Sequence, residues 1–511
     1  MSPPWVIADA DERDLCRLAE FIAVVLKPGD TVTLSGELGA GKTTFARAVI
    51  RAVLRDDAHD VPSPTFALVQ SYNDGQLSLA HIDCYRMSGA EELQEIGLDD
   101  ALVRGAALIE WPNRIADALP KTRLEILISD GSRDDTRKVS IEGLAAWSDR
   151  SARLRAMMEF CESSQWRDAR PAFLKGDAST RAYARLVRDG ASAILMDSPP
   201  RPDGPPVKDG KPYSQLVHLA EDVRPFVAVA AALRKAGLSV PEVFGHDLEQ
   251  GFLITEDLGD RVYSAETGEA PTLEELYKAA VDVLAHLKDH PPGGALPLPD
   301  GTTHAVPPFD AGVFETEAEL LMDWFYPAVN GGGVADDVRA EFLELLGKLF
   351  AAVDGKNEAW VLRDYHSPNL LWLPEREGIA RVGVIDFQDA LSGHAAYDLV
   401  SLLQDARRDI PAALEARLID KYCEARACAD SSFDAQAFAT AYAVLGAQRN
   451  SKILGIFARL AKRDGKHGYL AHIPRVSAYL ERNLAHPALG EFRAWFAAHL
   501  PADLRSGELK I

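Results

Sequence analysis

Cysteine is scarce in this chain of 511 residues: Cys16, Cys84, Cys161, Cys423 and Cys428 are scattered, odd in number and never paired as CxxC. That usage excludes a disulfide framework and a structural zinc site, and it fits a reducing compartment. Long apolar runs are missing too. The stretch Phe21 to Leu26 is far below the roughly 20 residues a membrane span needs, and the opening MSPPWVIADADERDL has neither a basic start nor an apolar leader. The expectation is a cytoplasmic protein with no signal peptide and no membrane anchor. A basic excess is equally absent. The net charge is -22 from 55 basic and 77 acidic residues, with 16 and 25 of them inside residues 1 to 150, so neither part is built to hold nucleic acid strongly on its own.

What is present is the composition of a folded protein. With 47% hydrophobic and 26% charged residues, 37 Gly and 30 Pro, wholesale disorder, collagen and coiled-coil classes are excluded. At roughly 100 to 200 residues per domain the length calls for two to four globular units, and no internal repeat is visible.

Leu15, Leu18, Ile22, Val25 and Leu26 recur at helical spacing and stop at Pro28-Gly29. The β-rich Thr31 to Ser35 is followed by GELGAGKT and then by a helix-compatible run, Thr43 to Leu54. Strand, glycine loop and helix come in the order a phosphate cradle requires. Gly36, Gly41, Lys42 and Thr43 satisfy GxxxxGK[ST], in which backbone amides hold phosphates, the lysine reaches the outer phosphates and the threonine hydroxyl ligates magnesium. Asp83, ending the strand-like LSLAHID, is the best candidate for a carboxylate near that metal, and a plain strand-end turn is its alternative. Short apolar segments at 66–69, 77–82, 106–109, 124–128 and 138–141 read as further strands of one α/β sheet that closes near Gly143.

GELGAGKTT, SPTFALV at Ser63 to Val69, HIDCYR at His81 to Arg86 and IEWPNR at Ile109 to Arg114, in that order, resemble the TsaE family, the ATPase subunit of the bacterial machinery that makes threonylcarbamoyladenosine in tRNA. The resemblance implies that Gly36, Gly39, Gly41, Lys42, Thr43, Thr44 and Trp111 surround ATP. It also implies that Thr43, Asp83 and Glu110 serve magnesium and hydrolysis, that the SPT loop is a switch, and that the subunit acts by docking on a partner protein assembly. A docking module with negligible turnover of its own is the competing expectation. No NKxD guanine-reading motif occurs here, which favours ATP over GTP.

In the second part, LRDYHSPNLLWLP at Leu362 to Pro374 places Asp364 five residues before Asn369, and Asp386 follows Asn369 by seventeen, in GVIDFQDA. An aspartate to orient or deprotonate a hydroxyl, with an asparagine and an aspartate for magnesium, is a complete phosphoryl-transfer set. Leu370 to Leu373, PEREG and Arg381 to Ile385 read as a hairpin carrying it. This order resembles the aminoglycoside phosphotransferase superfamily, and His366 and Asp398 match its pattern as well. GDASTRAYARL, AILMDSPP, RPFVAVA, GFLITEDLG, SLLQDAR and QRNSKILGIFARL resemble, more closely, the anomeric kinases of N-acetylmuramate and N-acetylglucosamine in cell-wall recycling. Aminoglycosides, choline or homoserine are the alternative acceptors.

The strand lysine of kinases is missing, because AILMD ends on Met196 and Asp197. The loop Gly176 to Arg181, with Ser179 and with Arg181 or another cation, is therefore expected to handle the phosphates; a lobe that no longer binds ATP properly is the alternative. Arg449, Lys452 and Arg459 fall close to one helical face; they are either substrate-side cations or a solvated basic face. The expected architecture is an α/β P-loop NTPase domain, 1–145, a linker, 146–164, and a two-lobed α+β kinase-like domain, 165–495, with its lobes meeting near 300. Both parts are expected to use ATP and Mg2+.

Overall fold

The computed structural model describes all residues except 1–3, 66, 74, 76, 88, 90, 91, 93–95, 175–180, 202, 266–270, 354–357, 508, 510 and 511. The chain forms two compact units, one of residues 1–199 with 244–257, the other of 200–243 with 258–511.

The first unit is built on two sheets. Its seven-stranded sheet runs β1-β7-β6-β2-β5-β4-β3, with β1 Trp5–Ala10, β2 Thr31–Ser35, β3 Val69–Tyr72, β4 Ser78–Asp83, β5 Gly105–Glu110, β6 Arg123–Asp130 and β7 Arg137–Leu144. Strands β4, β5, β2 and β6 are parallel. Val32 and Leu34 of the central β2 are fully buried, as expected for a parallel strand covered on both faces. Helix α1, Glu12–Val25, starts on a capping box made by Asp11 and Asp14, and α2, Lys42–Leu54, follows the glycine loop. A short helix α3, Leu98–Arg104, leads into β5. The strand expected at 66–69 lies instead at Val69–Tyr72, because Leu68 takes a left-handed conformation (φ 64°) that no strand interior accepts. Phe66 itself falls outside the described residues.

The stretch expected as a linker carries helix α4, Trp147–Glu162, with Trp147, Leu154, Met157, Met158 and Cys161 buried. Beyond it a five-stranded sheet runs β11-β12-β10-β9-β8, with β8 Arg170–Leu174, β9 Ala182–Arg188, β10 Ala191–Asp197, β11 Val243–Asp247 and β12 Phe252–Glu256. One continuous core joins this sheet to the first: Phe21 and Leu124 belong to the same apolar cluster as Cys161, Leu186 and Phe252. Arg153 of α4 pairs with Asp197 at 2.6 Å and lies over the Phe252 ring, while Arg170 opens β8 between Glu20 and Asp57. The kinase-like sheet expected in an N-lobe of 165–300 thus shares a unit with the P-loop sheet, and the rest of that interval belongs to the second unit.

The second unit is mostly helical. Helix α5, Arg224–Lys235, α6, Leu273–Leu287, α7, Ala311–Leu320, α8, Ala396–Leu403, and the 30-residue α9, Ala435–Asp464, surround two small ladders. One pairs β13, Glu358–Val361, with β16, Leu391–His394; the other is the expected hairpin, β14, Leu370–Trp372, with β15, Val382–Val384. Gly455 lets α9 press on the end of α7: a Cβ there would meet the Leu320 carbonyl oxygen at 2.3 Å. That approach brings α9 residues one and two turns earlier alongside the core-facing side of α7. Among the described residues no helix is long and apolar enough to cross a membrane.

Candidate active sites

In the first unit the loop between β2 and α2 needs its glycines. Gly36 stands at φ 147°, where a Cβ would run into the Ile128 carbonyl oxygen at 2.3 Å, and Gly41 (φ 105°) precedes α2 without any side-chain cap. The first-turn amides of α2 are thereby left to an anion, at the positive end of the helix dipole. Lys42 donates to the Gly36 and Glu37 carbonyls at 2.9 and 2.7 Å and lies 3.7 Å above the Trp111 ring. Burial pushes its ammonium below the ordinary value, against the opposing pull of Glu110 and Asp83.

The parallel register places Asp83 beside Glu110 at the ends of β4 and β5. Glu110 accepts the Thr43 hydroxyl at 2.9 Å on one oxygen and meets His81 at 2.8 Å on the other, wholly inside the protein. Asp83 accepts the Thr65 hydroxyl at 2.8 Å, which ties the SPT segment to the same carboxylates, and Ser63 stands 3.5 Å away. A hydroxyl and two carboxylates are the hard oxygen donors that magnesium prefers. The residues therefore fit the metal-nucleotide expected of them. A cavity of about 510 Å³ opens beside the loop, lined by Gly36, Glu37, Gly39, Trp111, Leu127 and Asp130. Thr44 does not join it: it is exposed and borders a separate hollow with Arg13, Arg47 and Arg170. His81 was not anticipated, since a lone histidine inside a strand motif carries no spacing signal.

In the second unit the hairpin sets the chemistry. Asn369 and Asp386 flank its two strands and approach to 3.5 Å, with the Ile385 amide bonded to the Asn369 carbonyl at 3.0 Å. Gln388 donates to Asp386 at 2.9 Å, and Asp386 holds a left-handed backbone (φ 61°). An amide and a carboxylate at this separation again fit magnesium. Phe387, next to Asp386, stacks on Phe226 of α5 at 4.8 Å. Asp364 lies across the loop, its backbone carbonyl accepting from the Asn369 amide group at 3.0 Å and its side chain 48% exposed. Burial pushes that carboxyl up, but His366, Lys452, Arg449 and Arg363 outweigh it and leave it below the ordinary value. His366 stands 3.8 Å from Asp364 and 3.2 Å from Arg407; burial lowers its affinity for a proton, against the opposing pull of Asp364 and Asp405.

Around Asp364 the backbone is braced by residues far away in sequence. Asp398 accepts the Leu362 and Arg363 amides at 2.6 and 3.0 Å, and Asp405 accepts the amide and hydroxyl of Ser367. Tyr365 anchors the loop to α6 through the Ala280 carbonyl at 2.9 Å. The Arg363 guanidinium reaches the Val217 carbonyl at 2.8 Å and the carboxylate of Glu317, a residue of α7 with no exposure at all. Lys452 joins the same carboxylate at 2.7 Å, and Tyr397 and Gln448 lie on its other oxygen at 3.5 and 3.3 Å.

The face expected to be either substrate-side or solvated is thus neither throughout. Lys452 is held in an internal ion pair, and Arg459 lies 5.6 Å over the ring of Tyr213. Arg449 is 5% exposed and, among the described residues, its side chain makes no hydrogen bond or ion pair. Glu317 and Tyr213 were not foreseen, because nothing local marks a single buried acid or tyrosine as part of a distant site. Of the residues expected at the kinase phosphates, Gly176 and Ser179 lie outside the described residues, and Arg181 is half-buried just before β9. Asp197, where kinases carry a lysine nearby, is taken up by its pair with Arg153.

A P-loop nucleotide fold and a hairpin-borne phosphoryl-transfer site define a two-part nucleotide-using enzyme. Residues 9–139 match the family described as threonylcarbamoyl adenosine biosynthesis protein TsaE, and residues 172–431 match the phosphotransferase enzyme family. The chain is 39% identical to an N-acetylmuramate/N-acetylglucosamine kinase of Caulobacter vibrioides over 368 residues, 70% of this chain and 99% of that protein. A Pseudomonas aeruginosa kinase of the same description is 31% identical over 366 residues, 70% of this chain and 95% of the other. The tRNA threonylcarbamoyladenosine biosynthesis protein TsaE of Bacillus subtilis is 41% identical over 124 residues, 24% of this chain and 75% of that protein. The chain belongs to both families, a TsaE domain joined in one polypeptide to a phosphotransferase-family kinase.

Proposed function

We propose that the protein carries two ATP-dependent activities. The C-terminal kinase transfers the γ-phosphoryl group of ATP to the anomeric hydroxyl of N-acetylmuramate and N-acetylglucosamine, giving ADP, the sugar 1-phosphate and a proton. The N-terminal part is a partner-dependent ATPase of tRNA threonylcarbamoylation, docking on the threonylcarbamoyl-transfer proteins. The reading of the kinase is carried by Asp364, an accessible carboxylate kept ionised by surrounding cations, across the loop from the Asn369–Asp386 pair.

In this reading Asp364 takes up the hydrogen bond of the anomeric hydroxyl, turns its oxygen toward the phosphorus and receives its proton as the new bond forms. Asn369 and Asp386 hold magnesium, which neutralises charge on the transferring group when bound. His366 and Arg449 close the acceptor end. In the first unit Lys42 and the α2 amides hold ATP, while Thr43, Asp83 and Glu110 hold its metal and Trp111 flanks the nucleotide. A cytoplasmic setting supplies ATP to both.

Phosphorus NMR of the full chain with Mg-ATP and, separately, N-acetylmuramate, N-acetylglucosamine and kanamycin tests the kinase. A new anomeric sugar phosphate that vanishes in Asp364→Ala is expected. Turnover of kanamycin alone would assign a different acceptor. ATP hydrolysis measured with and without the partner proteins, and in Lys42→Ala, tests the other half; rates indifferent to both would overturn it.

A further inference from the structure

Around Asp364 the second unit gathers three cations, Arg363, Arg449 and Lys452, whose charges all bear on that carboxylate. Two of them share one counter-charge, Glu317. The nearby acids bond elsewhere: Asp398 accepts the Leu362 and Arg363 amides, and Asp389 accepts the Ala220 amide at 2.6 Å and Gln388. Among the described residues none of these carboxylates, nor Glu317 or Asp364, lies within hydrogen-bond or ion-pair distance of Arg449.

Arg449 stands apart from the other two: its residue on α9 is 5% exposed, its charge bears on Asp364, His366, Tyr397 and Asp398, and its side chain has no hydrogen-bond or ion-pair partner among the described residues. Leaving an arginine inside the protein without a partner is costly, and a planar guanidinium is matched best by a carboxylate bound through two parallel hydrogen bonds. Lys452 and Arg459 are not equivalent to it, since Glu317 holds the one and Tyr213 the other.

We infer that Arg449 is the specificity residue of the acceptor site and pairs with a carboxylate on the sugar, so that the pocket discriminates in favour of carboxylate-bearing amino sugars over neutral ones of the same ring. The inference rests on the reading of this site as an amino-sugar kinase. Lys452 has no part in the discrimination.

Steady-state kinetics with N-acetylmuramate, its methyl ester and N-acetylglucosamine test this in the full chain. In Arg449→Ala the ratio of kcat/KM for N-acetylmuramate to that for N-acetylglucosamine falls about ten- to a hundredfold, the size of a lost charge-assisted hydrogen bond, and the fall is in KM. Arg449→Lys recovers part of the ratio, and Lys452→Met leaves it within about threefold whatever it does to the common rate. In the unaltered enzyme the methyl ester behaves as the neutral sugar does, a comparison independent of any variant's folding. Equal loss with both sugars in Arg449→Ala, or an ester as good as the acid, overturns the assignment of Arg449 while leaving the amino-sugar kinase standing. Turnover of neither sugar by the unaltered enzyme overturns the amino-sugar reading and this inference with it.

Discussion

Asp398 accepts the backbone N–H of Arg363 at 3.0 Å, reaching across 35 residues to the position just before Asp364. Arg363 is left-handed there (φ 66°), a conformation an arginine adopts only when it is held. The same carboxylate accepts the Leu362 amide, the Ser401 hydroxyl donates to the Arg363 carbonyl, and Glu317 accepts from the guanidinium. The backbone and both terminal guanidinium nitrogens of Arg363 are thereby held, directly before Asp364.

Asp398→Ala should lower kcat more than it raises KM and should destabilise the second unit by about 2–4 kcal/mol, the cost of two buried amides left without an acceptor. Denaturant unfolding together with steady-state kinetics reads both effects. Asp398→Asn keeps one acceptor oxygen and should fall between.

Glu317 sets an acid limit on the second unit. Burial alone would raise its carboxyl, but Lys452 and Arg363 bring it down to about 2 from an ordinary 4.5. A lowered folded value means that this carboxylate stabilises the fold fully above about pH 4.5 and loses that contribution as pH falls toward 2. Glu317→Gln should cost about 3–5 kcal/mol at neutral pH by leaving two cations unpaired, and should flatten the dependence of stability on pH between 4.5 and 2. Unfolding followed by circular dichroism across that range checks the sign.

The two chemical sites should fail separately. Asp364→Asn should reduce sugar phosphorylation about 10²- to 10⁴-fold without changing nucleotide binding at Lys42. Lys42→Ala should do the reverse. Loss of both functions in either folded variant would contradict two independent sites.

Trp111 should report on the P-loop. Lys42 lies 3.7 Å over its ring, and a lysine drawn onto phosphates must leave that face. Titration with Mg-ADP should change tryptophan emission, and Trp111→Phe should remove most of that change while binding persists by calorimetry.

Helix α4 belongs with the sheet that follows it. Its Phe160 stacks on Phe252 at 5.6 Å, and its Arg153 holds Asp197 at the end of β10. In the full chain Met157→Ala, which empties a buried position of that helix, should lower the stability of the first unit by about 2–5 kcal/mol, read by denaturant unfolding. A change below about 0.5 kcal/mol would refute this.

How much could be read in advance follows the range of the interactions. The glycine loop, the Asp364 to Asn369 spacing and the hairpin around PEREG are local: each is set by residues within a few positions, and each lies in the structure where the motif put it. Strand β3 escaped because Leu68 turns the chain, and β1 because an edge strand shows its pattern only beside β7. The stretch 146–164 was legible as helix-prone, but not as part of a core extending from Phe21 to Phe252.

The sequence by itself determined the two chemistries, since phosphate cradles and phosphoryl-transfer carboxylates depend on residue types at fixed short spacings that a chain writes directly. Only the tertiary structure decided which charges are matched. Lys452 and Arg449 are three residues apart on one helix and read alike in sequence, yet α7 places Glu317 in an ion pair with the first, while the second has no ion-pair partner among the described residues. Whether a buried charge is compensated depends on what another part of the chain brings within about 4 Å of it.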